Sequence, residues 1–255
     1  MVTLMERLWK QALRTFSKRN VLSQSFEESF LVLKSLADAV TAADVKLDLK
    51  LLERHPLGPL SRRKPPVTYI EIYEDDNVTI GIFILKAGVK LPLHDHPQMY
   101  GILKVISGTV TIQSYSVVPS DRISPRCGSE AKCVYAEKLP EVTVNQSDNS
   151  CTLTPTERNL HEIRSVDGPA AFLDILAPPY DSETGDSDLT DRSCHYFVEV
   201  PWTSDVCDKN IKRLCVIPSP PDFWSDSAPY NGPELRGARE TNVVISQSRC
   251  VICYC

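Results

Sequence analysis

GVKLPLHDHPQMYG, residues 88–101, is the stretch on which the reading of this chain turns, because it carries two of the chain's five histidines, His94 and His96. On an extended strand, residues two apart project from the same face, so both imidazoles reach one metal ion while Asp95 points away. Two imidazoles are half of a metal site, and a third ligand has to come from another strand. The candidates are His55, His161 and His195. His55 lies in a proline-flanked linker that faces solvent, and His195 opens a strand beside Cys194 and Tyr196. His161, in TPTERNLHEIRSV, lies well downstream, just before a strand-like segment that a barrel can bring opposite the first pair. The expected ligand set is therefore His94, His96 and His161, with His195 as the competitor for the third place.

The flanking sequence supplies such a barrel. From Tyr69 onward the segments TYIEIYEDD, NVTIGIFILKAG, YGILKVISG, TVTIQSYSVV, AAFLDILAPP and HYFVEV are short, β-branched and separated by turn residues. Strands at this spacing, without helices of comparable length between them, predict an antiparallel barrel or sandwich. Residues 119–149 are rich in Ser, Asp and Glu, with an apolar island at Val134 and Tyr135, and read as a long hairpin excursion or loop, and the acidic run at 181–192 reads as a surface loop. Ahead of the prolines at 56–66, Leu4, Leu8, Trp9, Ala12, Leu13 and Phe16 recur at helical spacing, as do Phe30, Leu33, Leu36, Ala37 and Val40. The organisation expected is a helical segment, 1–48, packed on a barrel domain, 49–235, followed by a tail, 236–255.

Composition narrows the class. With 28 basic against 33 acidic residues the net charge is -5, which argues against nucleic acid as a partner. No apolar run is long enough to span a membrane, and charges interrupt the first twenty residues where a secretory signal would be apolar. An intracellular, cytoplasmic protein is expected, with a mitochondrial address as the alternative raised by the basic amphipathic start. The nine cysteines are scattered until Cys250, Cys253 and Cys255 and read as free thiols, not as a disulfide framework. Nothing in the sequence demands more than a monomer.

The spacing Gly88, five residues, His94, one residue, His96 fits the first signature of the cupins, small double-stranded β-helix barrels of jelly-roll type that hold a metal inside. Their usual glutamate, which follows after three or four intervening residues, is replaced here by Tyr100 or Gly101, while Gly108 closes the pattern. Three neutral imidazoles leave the charge of the ion uncompensated and about three coordination positions open. That suits an anionic chelating substrate together with dioxygen, and a thiolate with a neighbouring amine is such a chelate.

The blocks LPLHDHPQMYGILKVISGTVTIQSY, NLHEIRSVDGPAAFLDILAPPY and DFWSDSAPYNGPEL resemble the plant cysteine oxidase and cysteamine dioxygenase family of cupin thiol dioxygenases, with the likeness running from about Phe26 to Leu235 and leaning toward the animal branch. The resemblance implies a mainly β cupin barrel with N-terminal helices, Fe(II) held by His94, His96 and His161, and O2 as co-substrate. It implies oxygenation of the thiol of cysteamine to hypotaurine, or of a protein N-terminal cysteine to a sulfinic acid that marks the protein for oxygen-dependent degradation. By motif it places catalytic roles on Asp174, which would hold the substrate amine or relay a proton, and on Tyr180, which would orient bound O2. It also implies a thioether cross-link between Cys194 and Tyr196. After PYNGPEL a family chain is expected to stop soon, whereas this one continues as RGARETNVVISQSRCVICYC.

Overall fold

Two 18-residue strands, Tyr100–Val117 (β4) and Leu160–Ala177 (β8), run antiparallel from the Tyr100–Ala177 pair to the Tyr115–Leu160 pair and carry the architecture. The structure is a computed structural model that describes residues 2–17, 25–53, 65–119, 133–181, 192–201 and 210–235. Midway along the pair the register breaks on either side of Ser107, and both strands bend. The sequence reading divides β4 into two strands at the glycine; the backbone instead continues through it. Gly108 takes φ +73°, a conformation that costs other residues free energy, and a Cβ there would lie 2.4 Å from the Pro169 carbonyl oxygen.

The bend shares each long strand between two sheets. On one side Val67–Glu74 (β1), Thr79–Leu85 (β2), Cys151–Leu153 (β7) and Ser225–Ser227 (β11) extend the pair in the order β11-β1-β2-β8-β4-β7. On the other side lie Lys90–Asp95 (β3), Cys133–Lys138 (β5), Val142–Asn145 (β6), Tyr196–Val200 (β9) and Ile211–Ile217 (β10). Hydrogen bonding there closes a ring, β8-β3-β9-β10-β5-β4 and back to β8. Each strand of the ring gives one residue to the cluster Leu93, Tyr115, Ala136, Leu160, Phe197 and Leu214. The two sheets face one another across a second core containing Phe83, Leu91, Leu103, Ile112, Ile163 and Phe172. This is the cupin architecture.

Strand alternation decides which side chains reach that interior. Along β2, Ile80, Ile82 and Ile84 turn outward while Phe83 and Leu85 turn inward; along β8, Leu173 and Ile175 turn outward while Phe172 and Leu176 turn inward. The outward face would be an exposed apolar sheet, and two helices cover it. Helix Leu4–Thr15 (α1) starts where the Thr3 hydroxyl accepts the Glu6 N–H, and it buries Leu8, Trp9 and Ala12. Helix Phe26–Asp38 (α2) buries Phe26, Phe30, Leu33 and Ala37. Phe16 packs on Phe26 and Phe30, both of which pack on Tyr100 at the start of β4. Among the described residues no helix is long and apolar enough to cross a membrane.

Two readings of the sequence are corrected. Within 119–149, expected to be a long hairpin excursion or loop, Cys133–Lys138 and Val142–Asn145 form strands that pair with β4 and not with each other; their apolar positions are few because only one face is covered. Cys133 and Cys215, expected to be free, face each other across β5 and β10 and form a disulfide. The acidic loop at 182–191, His55 and the tail 236–255 lie outside the described residues.

Gly108→Ala should lower the unfolding free energy by about 2 kcal/mol or more in urea denaturation, because it adds both backbone strain and a clash with Pro169. A loss under about 0.5 kcal/mol would contradict this account of the bend.

Candidate metal centre

The ligand face of β3 depends on an irregularity. Leu91 pairs with Ile163 on β8, but His94 pairs with His161, so three steps on β3 match two on β8. The extra residue is a β-bulge at Pro92–Leu93, where a proline's missing N–H breaks no regular ladder. Because of it Leu91 joins the core between the sheets while Leu93, two residues on, joins the core of the ring. His94 is thereby turned to the inner side, directly across from His161. His96 follows just beyond the strand, where its N–H donates to the Asn159 carbonyl at 2.8 Å.

The three imidazoles converge. Their ring centroids are 4.6 to 4.9 Å apart, and their ligand nitrogens lie within 4.8 Å of one another. All three are buried, His94 completely. The Pro92 carbonyl, 2.8 Å from His94 Nδ1, accepts a hydrogen bond from the N–H there and leaves Nε2 with its lone pair. His94 Nε2 and His96 Nδ1 are buried without a hydrogen-bond partner. A buried polar atom left so costs about 1–3 kcal/mol, which a bound cation would offset. Burial pushes all three pKa values down, His94 to about 4, and their mutual repulsion pushes His96 and His161 down further. The rings are therefore neutral near pH 7, the form in which imidazole binds metals. Among the described residues this is the one cluster able to hold a metal, and its all-nitrogen donor set fits a divalent transition metal.

The outward residue of the pair is also used. Asp95 accepts the His195 N–H at 2.7 Å, its other carboxylate oxygen lies 3.2 Å from His195 Nδ1, and its own N–H donates to the His195 carbonyl at 3.1 Å. The segments His94-Asp95-His96 and Cys194-His195-Tyr196 are thus clamped side by side through their outward residues. His195 is consequently held by Asp95 and stands outside the imidazole cluster. Cys194 and Tyr196 are both buried, and Tyr196 pairs with His94 across β3 and β9. Tyr180 donates its phenol proton to the Asp95 carbonyl at 2.6 Å, hydrogen-bonds Cys194, and sets its ring 5.7 Å from that of His96. Burial, with the nearby Cys194, Asp95 and Asp174, holds its pKa well above 10, so the phenol stays protonated.

A cavity of about 420 Å³ opens beside His161, lined on its inner side by Leu103, Ile112, Ser114, Leu153 and Asp174. Asp174 follows Phe172 on the inward face of β8. Burial lifts its pKa to about 7, against a smaller lowering by a backbone hydrogen bond from Ile175. A cationic amine entering the cavity would find a carboxyl ready to ionise. Sequence reasoning placed Asp95 as pointing away but missed its bond to His195; the matching spacing of the two three-residue motifs was the available signal. It also missed Ser114 and Arg158 of the cavity wall, for which the sequence carries no signal.

The PCO_ADO family model matches residues 36–235. The 2-aminoethanethiol dioxygenases of Mus musculus and Homo sapiens are 38% and 36% identical, each over 92% of this chain and 97% of theirs. Plant cysteine oxidase 1 of Arabidopsis thaliana is 29% identical over 78% of this chain and 65% of its own. Among solved structures, a cupin superfamily protein from Desulfitobacterium hafniense aligns with a TM-score of 0.32 at 14% identity, covering 50% of this chain and 94% of that one.

Because burial raises the pKa of Asp174, its ionisation destabilises the fold. Folded protein retains a proton that the unfolded chain releases near the ordinary carboxyl pKa of 3.8, so stability falls as pH rises from there to about 7 and then levels off. In metal-free protein, Asp174→Asn should raise the melting temperature at pH 8 by about 5 °C or more, with the gain shrinking toward pH 5. A gain independent of pH would contradict a buried, proton-retaining Asp174.

Proposed function

The chain belongs to the PCO_ADO family, whose relatives include 2-aminoethanethiol dioxygenases and plant cysteine oxidases, and we propose on that premise that it is a non-haem Fe(II) thiol dioxygenase. The observation that carries the reading is the convergence of three buried, neutral imidazoles, two of them with a nitrogen that lacks a hydrogen-bond partner, where the third, His161, lines a cavity that Asp174 also lines. Its substrates are cysteamine and the N-terminal cysteine of polypeptides. Each offers a thiol and an unsubstituted amine two carbons apart.

His94, His96 and His161 hold the metal. When bound, Fe(II) supplies the Lewis acidity that makes the thiol a thiolate and the electrons that let triplet O2 react. The net reaction adds both atoms of O2 to sulfur: R–SH and O2 become R–SO2H, the C–S bond is kept, and no external reductant enters. The protein's part is orientation, exclusion of water and proton control. Pro92 fixes the His94 tautomer, and the Asp95–His195 clamp keeps the ligand strand from rotating. Asp174 holds the substrate amine, whose positive charge draws the carboxyl back to its ionised form. Tyr180, with its proton committed to the Asp95 carbonyl, braces the ligand strand at the edge of the site. Cys194 and Tyr196 are the partners of a thioether cross-link, in which a C–S bond replaces the thiol S–H and one ring C–H while two electrons and two protons pass to O2 as hydrogen peroxide. The helical segment, 1–48, serves the barrel domain, 49–235, as the cover of its outer sheet. The enzyme works as an intracellular monomer.

Oxygen-electrode and product assays test this. Fe(II)-loaded protein should consume one O2 for each thiol of cysteamine, or of a peptide beginning with cysteine, that becomes sulfinic acid. His161→Ala should lose iron and turnover together, by about a hundredfold or more in turnover, while His195→Ala keeps its iron. Iron and activity retained in His161→Ala would overturn the ligand assignment. Absence of sulfinic acid from either thiol with iron bound would overturn the function.

A further inference from the structure

The cavity beside His161 continues outward. Leu139 and Arg158 line it and also line a second hollow, of about 550 Å³, walled by Ser116, Val118, Glu137 and Thr156. A small aminothiol needs only the inner space. The outer one has the character of a path for whatever follows the reacting group.

Arg158 stands where the two hollows meet, and its placement is built. Its φ of +56° is uncommon for a side chain larger than asparagine and costs on the order of 1 kcal/mol. The turn before it is fixed by Thr154, whose N–H donates to the Glu157 carbonyl at 2.9 Å and whose hydroxyl accepts the Glu157 N–H at 3.0 Å. The Arg158 N–H itself donates to the Ser116 hydroxyl at 2.9 Å. The residue is exposed, and no carboxylate among the described residues forms an ion pair with its guanidinium. Its guanidinium, with five N–H donors, belongs to a residue that lines both hollows and is engaged by no carboxylate there.

Charge decides what they receive. Asp148 lies on the inner rim, and Glu137 and Glu157 line the outer hollow, so an acidic substrate side chain would be repelled on both sides of the cation. An uncharged acceptor carries no such penalty, and an extended peptide presents one at every residue. We propose that Arg158 is a specificity residue that holds a main-chain carbonyl of a polypeptide whose N-terminal cysteine occupies the inner cavity, the following residues passing over Leu139 into the outer hollow. The inference rests on the thiol-dioxygenase reading and deepens it: the site is shaped for a polypeptide end as well as for a small thiol.

The test compares kcat/KM for cysteamine, cysteine amide and a six-residue peptide beginning with cysteine, in Fe(II)-loaded wild type, Arg158→Gly and Arg158→Lys. Glycine suits the left-handed backbone at this position, so Arg158→Gly removes the cation while relieving the turn. Wild type should prefer the peptide to cysteine amide. In Arg158→Gly the peptide-to-cysteamine ratio should fall about ten- to a hundredfold, mainly through the KM of the peptide, with Arg158→Lys in between. An unchanged ratio, or an equal loss with both substrates, would overturn the role of Arg158 alone, whereas a wild type that oxidises cysteamine but not the peptide would overturn that role together with the polypeptide substrate. A wild type that oxidises none of the three would remove the thiol-dioxygenase reading and this inference with it.

Discussion

The pairing of His94 with His161 across β3 and β8 is the constraint on which the rest of the site depends. Side chains alternate along strands, so a slip of one residue would turn His94 away from His161 and scatter the imidazole cluster. The register is held from several directions. Leu91 and Ile163 lock it in the core between the sheets, while Leu93 and Leu160 lock it in the core of the ring. The bulge at Pro92–Leu93 lets a single strand serve both cores and still deliver His94 to the inner side. Beyond the strand, the Asp95–His195 clamp and the Tyr180 hydrogen bond to the Asp95 carbonyl keep the ligand segment from twisting.

This arrangement concentrates destabilising features around the three histidines. Three imidazoles are buried close together, two of their nitrogens have no protein partner, and a carboxyl sits in the same interior with its pKa lifted to about 7. None of these would be chosen for stability alone. They are tolerated because the surrounding sheets are densely apolar: Phe172, Leu85, Val105 and Leu91 are essentially inaccessible on the inner side, as are Ile80, Ile82 and Leu33 on the outer. The helices contribute indirectly. By covering the outward face of β1, β2, β4 and β8 they allow the same strands to commit their inward face to the site.

Much of this was readable in the chain. The two-residue spacing of His94 and His96 predicts a shared face, the β-branched segments predict an antiparallel sandwich, and the recurrence of Leu8, Ala12, Phe30 and Leu33 predicts two packed helices. These are local patterns with fixed periods, and local periodicity survives in sequence. What escaped reading depends on pairing between distant segments. The disulfide of Cys133 with Cys215 requires knowing that β5 lies beside β10. Strands β5 and β6 are short and half exposed, so their pattern is too weak to separate from a polar loop. The bond from Asp95 to His195 spans 100 residues, and the cavity wall at Ser114, Leu139 and Arg158 is assembled from three separate stretches.

The claim at the centre of this account is that the three-histidine centre directs both atoms of dioxygen onto one sulfur. Mass spectrometry of cysteamine turnover under isotopically labelled O2 in unlabelled water tests it most directly. Two labelled oxygen atoms in the sulfinic acid are the result the account predicts. One labelled atom with the second drawn from water, or none, would contradict it.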